Sequence, residues 1–91
     1  MMDVTRYIYK KHQDAAHGWL EVKQHDIKRA GLTMANFSKY SYISNTGNTL
    51  YLEEDQDALK FIRACDAAGI CYRVEVVRDA DYSDIRNLHH L

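Results

Sequence analysis

Glu53, Glu54, Asp55 and Asp57 place four carboxylates within five positions, the densest concentration of reactive groups in the chain. Hard divalent cations need several convergent oxygens, and paired carboxylates perform acid–base chemistry. The glycine-centred pattern of an EF-hand loop is missing here, and no second acidic run completes a metal site. Helix capping accounts for the cluster more simply. Asp55 is expected as the N-cap of a helix, with Glu53, Glu54 and Asp57 where the helix dipole favours negative charge.

The five histidines are His12, His17, His25, His89 and His90. His17 precedes Gly18-Trp19, where the absent Cβ permits close approach of a backbone or ligand. A hydrolase reading would pair His17 with one of the four acids, directly or through a metal-bound water. The nucleophile elbow GxSxG and a helical HxxxH are both missing, and adjacent residues on a helix diverge by about 100°. Cys65 and Cys71 lack CxxC spacing, and both are expected as small buried or half-buried thiols rather than ligands or a disulfide.

The third group is aromatic: Trp19, Tyr40, Tyr42 and Tyr51. Their use depends on the elements that carry them. Alternation predicts strands at 4–9, 17–22, 39–44, 49–53 and 70–77. Residues 11–16 read as a loop, and Asn45-Thr46-Gly47-Asn48 reads as a hairpin turn. A short helix over 23–30 stops at Gly31, with an irregular turn over 33–38. In the longer helix Ala58, Phe61, Ile62 and Cys65 share one face, and Gly69 ends it.

That order predicts a single α+β domain over 1–91, with residues 79–91 a partly irregular tail. The architecture is a two-layer sandwich: a mostly antiparallel sheet of four or five strands with two helices on one face. If 4–9 is only an extension, the rest is the ferredoxin-like β-α-β-β-α-β arrangement. The expected core is Leu20, Val22, Leu50, Leu52, Phe61, Ile62, Val74 and Val76. With 17–22 and 49–53 central, Trp19 and Tyr51 then project from the open face of the sheet, joined by Tyr40 and Tyr42 if their strand is turned the same way. A second helix or the tail lying over that face would instead make it ordinary core.

Net charge is −1 with 46% apolar residues, which makes neither nucleic acid nor membrane a default partner. The first 45 residues nevertheless hold seven basic and four acidic groups. Stacking of single-stranded nucleic acid on the aromatic face, aided by Arg6, Lys10, Lys11, Lys28 and Arg29, is therefore an alternative. Glu21 and Glu53 beside the rings would repel phosphates, and Trp and Tyr dominate protein interfaces. The chain lacks an apolar run of about 18 residues, and its start lacks the apolar core of a signal peptide. A cytoplasmic protein is expected.

The motifs His17-Gly18-Trp19-Leu20-Glu21-Val22 and Tyr51-Leu52-Glu53-Glu54-Asp55-Gln56-Asp57-Ala58 resemble a group of small uncharacterised proteins of phages and conjugative elements. Tyr82-Ser83-Asp84-Ile85-Arg86 adds a little to the resemblance, which covers most of the chain. It implies context rather than catalysis: such proteins often bind and block a host component, including restriction and CRISPR machinery. The leading expectation is a non-enzymatic protein-binding module that inhibits a host defence system, with no cofactor and no metal. Its binding residues are Trp19, Tyr51, Tyr40, Tyr42 and His17; its partner is a host protein or complex, with homodimerisation as a second use of the same face.

Overall fold

Leu20 and Val22 of strand β2 (Gly18–Lys23) lie opposite Leu52 and Leu50 of strand β4 (Thr49–Glu53), in antiparallel register. All four side chains are buried. Alternation in both segments puts these four residues on one side, so a one-residue slip of either strand would turn its buried pair to the other face. In the computed structural model, which describes residues 6–79 and 83–91, these two strands are the middle pair of a six-stranded sheet.

Strand β1 (Tyr7–Gln13) pairs antiparallel with β2, and short strand β3 (Tyr42–Ile43) pairs antiparallel with β4. Strand β5 (Tyr72–Arg78) lies parallel to β1 at one edge, and β6 (His89–His90) closes the other beside β3. The order is β5-β1-β2-β4-β3-β6. Strand β1 is thus a full member of the sheet between β5 and β2, not the extension that the four-stranded alternative required. The sheet is therefore larger than expected and mixed. Strand β1 runs on through residues read as a loop, and residues 4 and 5 of the expected strand lie outside the described residues.

Helices α1 (Gln24–Arg29) and α2 (Asp57–Ala67) cover one face. Ile27 and Ala30 from the α1 end join Ala58, Phe61 and Cys65 of α2 over Tyr9, Leu20, Val22, Leu50 and Leu52. Burying a side chain such as Phe61 contributes about 1.5–3 kcal/mol. The Tyr9 ring meets Phe61 edge-on at 5.2 Å. Gly31, Gly47 and Gly69 have positive φ, as the expected helix stops and hairpin turn require.

Two expected core residues are outside the core. Val74 is 37% exposed and Val76 62% exposed, because the helices stop short of the β5 edge. Ile62 is half-buried against the cluster, and Cys71 is exposed rather than half-buried. Both cysteines are free, and burial pushes the Cys65 thiol up to about 11.

The tail is the largest departure. From Ser83 a 3-10 turn over Asp84–Asn87 leads to β6, so the chain crosses from the β5 edge of the sheet to the β3 edge. Tyr82 lies outside the described residues. Ile85 and Trp19 are buried yet stand apart from the helix-side cluster. The tail gives the supposedly open face a cover over one end.

Candidate functional site

Register fixes what the second face displays. Partnered residues point the same way, so His12, Trp19 and Glu53 form one row, and Glu21, Tyr51, Tyr42 and His90 another. At the end of this face the tail, the turn before β2 and the β4–α2 junction enclose a cleft of about 370 Å³. It is lined by His17, Trp19, Tyr40, Tyr42, Glu53, Asp55, Gln56, Arg86 and His90.

Four of the five expected binding residues therefore meet at one place. Trp19, only 3% exposed, forms the floor rather than projecting into solvent. Tyr42 stands edge-on to it at 6.1 Å, and the His17 ring lies 6.0 Å away. His90 stacks on Tyr42 at 4.3 Å and its Nδ1 is 2.6 Å from the Lys39 carbonyl oxygen. Tyr40 is 62% exposed at the rim. Tyr51 is elsewhere: it is half-buried beside His12 at 5.9 Å and does not line the cleft. Burial, and then the charge of Glu21, raise its phenol above the usual value.

Arg86, which the sequence marked only as part of the tail motif and not as a site residue, holds the cleft together. Its guanidinium lies 5.4 Å from the Trp19 ring centre and donates through Nε and Nη2 to both oxygens of Asp14, at 2.7 and 2.9 Å. Asp14 also accepts from the backbone N–H groups of Ala16, His17 and Ser83. The Arg86 bond first, then these backbone donors, hold the Asp14 carboxyl far below the ordinary range despite its burial.

The acidic run does four different things. The Glu53 carboxylate accepts from the backbone N–H of Asp55 and Gln56 in the turn just ahead of the helix; Gln56, not the expected Asp55, holds the N-cap position, and no side chain caps the helix. The helix begins after Gln56, and the exposed Asp55 faces the cleft rim. Glu54 occupies the space over Gly18 and pairs with Lys11 at 3.4 Å. Asp57 is buried, accepting from the Ser38 N–H and hydroxyl and from the Ser41 hydroxyl; Ser41 Oγ in turn accepts from the Glu53 N–H. The four carboxylates do not converge. Among the described residues, no group of three His, Cys, Asp or Glu side chains is placed to hold a metal ion.

Of the basic residues, Lys10 stands opposite Glu21 in the row of Tyr51 and Tyr42, but the others do not gather with it on the aromatic face. Lys11 pairs on the helix side with Glu54, and Arg29 pairs with Asp26 at 2.6 Å while lying over the Tyr7 ring. A second polar cluster went unseen in the sequence: His12 Nε2 is 2.8 Å from Glu21, and its Nδ1 is 3.5 Å from Asp79. It exists because β1 extends through residues read as loop.

Compared with protein-family models, curated proteins and solved structures, the chain matches none. No helix among the described residues is long and apolar enough to cross a membrane.

Proposed function

We propose that the protein is a non-enzymatic protein-binding module whose docking site is the aromatic cleft, and that the cleft takes a cationic side chain of its partner. The observation that carries this is the pairing of three rings, Trp19, Tyr40 and Tyr42, with Glu53 and Asp55 at the same opening. Ring faces attract cations, and adjacent carboxylates add to that attraction. Of the cations at the cleft among the described residues, Arg86 is paired with Asp14, and Lys39 lies with its Nζ 5.8 Å from the Tyr40 ring centre, a place that a partner's cation would take over. A Lys or Arg anchored among rings is a common interface hot spot.

The narrower reading, an inhibitor of a host defence complex such as CRISPR machinery, rests on the resemblance of the 17–22 and 51–58 motifs to mobile-element proteins. Capture of a partner from host lysate tests both levels. Tyr40→Ala and Asp55→Asn alter exposed rim residues and should leave the melting temperature unchanged. Each is expected to weaken the captured partner about tenfold. Binding indifferent to both changes, or a partner held without any Lys or Arg at the contact, overturns the reading.

A further inference from the structure

We propose that the β5 edge is a self-complementary interface through which two copies of the chain pair antiparallel, centred on Val74, joining their sheets into one. Strand β5 is the long terminal strand of the sheet, seven residues against two in β6 at the far edge. The chain contains no proline to blunt it. Among the described residues no strand pairs with its outer side, and a strand edge of this length is a template for another strand.

The hydrogen-bonding pattern selects which backbone groups face outward. The Cys71 carbonyl accepts from the Tyr7 N–H, and the Gln13 carbonyl accepts from the Asp79 N–H. Odd-numbered residues of the strand therefore face β1, and the N–H and C=O groups of Tyr72, Val74 and Val76 point away from it. Antiparallel pairing that keeps each side chain on its own face must be centred on a single residue. Centred on Glu75 it would set like charges opposite one another, and centred on Arg73 it would do the same. Centred on Val74 it sets each Arg73 against Glu75 of the second copy, twice by symmetry. On the helix side the same register pairs Val74 with itself and Tyr72 with Val76. The two valines left exposed by the helices become covered, and Arg73 and Glu75, now bridged within one exposed strand at 3.2 Å, gain cross-strand partners.

The test is sedimentation of the full chain over a concentration series, with Arg73→Glu, Glu75→Arg and the double exchange R73E/E75R. Wild type should dimerise with concentration. Each single reversal turns two attractive pairs repulsive and should weaken the dimer about tenfold or more, whereas the double exchange should return to within about threefold of wild type. Matching melting curves for the three variants at dilution confirm that each is folded. A chain that stays monomeric up to about 1 mM overturns the proposal. So does a dimer unmoved by the single reversals, not recovered by the double exchange, or dissolved instead by Tyr40→Ala in the cleft.

Discussion

Arg86 and Asp14, 72 positions apart in the chain, form a two-pronged ion pair that ties the C-terminal segment to the turn between β1 and β2. The Asp14 side chain is fully buried, and the guanidinium lies over Trp19. One contact thus closes the face of the sheet, roofs the buried indole and builds one wall of the cleft.

This pair sets an acid dependence. A carboxyl held low in the folded state contributes stability that is complete above its ordinary value of 3.8 and is lost progressively as the pH falls below it. Wild type should therefore lose stability steeply between about pH 4 and pH 2. Arg86→Met removes the principal cause, so denaturant unfolding of that variant should start from a lower plateau and show a shallower acid slope. Equal slopes would show that Asp14 is not the titrating group. Trp19 fluorescence should shift toward that of an exposed indole in the same variant.

Asp57 links the start of α2 to the loop before β3 by accepting from Ser38 and Ser41. Asp57→Ala strands buried hydroxyl and amide donors and should cost about 3 kcal/mol in urea unfolding. Ser38→Ala, which leaves the Ser38 N–H and the Ser41 hydroxyl in place, should cost about 1 kcal/mol. A reversed order would place the carboxylate outside the network.

The core predicts a contrast between two residues that the sequence pattern placed in the core alike, Phe61 by helical spacing and Val76 by alternation. Phe61→Ala removes a fully buried ring and should cost about 3–5 kcal/mol. Val76→Ala, measured at dilution, should change stability by about 0.5 kcal/mol or less. Tyr9 supplies a third case: its buried hydroxyl has no hydrogen-bond partner among the described residues, and desolvation and then Asp26 push the phenol up to about 12. Arg29 offsets part of this shift without reaching the hydroxyl in hydrogen-bonding geometry. Tyr9→Phe should leave stability unchanged or raise it by about 1 kcal/mol.

Thiol labelling distinguishes the cysteines. Cys71 is exposed and should react at once, whereas Cys65 is fully buried with its thiol pushed up to about 11. One equivalent should react with the native chain and the second only on unfolding. Two fast equivalents would mean that the inner face of α2 opens readily.

By itself the sequence determined the elements whose signals are local. Leu20, Val22, Leu50 and Leu52 alternate and are buried; Phe61 and Cys65 recur at helical spacing and are buried; Gly31, Gly47 and Gly69 take the positive φ that stops and turns need. It also picked out four of the residues that line the cleft, His17, Trp19, Tyr40 and Tyr42, because large rings beside alternating strands have few places to go. Tertiary structure decided what each of them meets. Only the folded chain brings Arg86 onto Trp19, sends the tail across the sheet, inserts β1 beside β5, and leaves Val74 and Val76 beyond the reach of the helices. Alternation says that a strand has an apolar side, but burial depends on whether another element lies over that side. That is a relation between distant segments, and no local spacing encodes it.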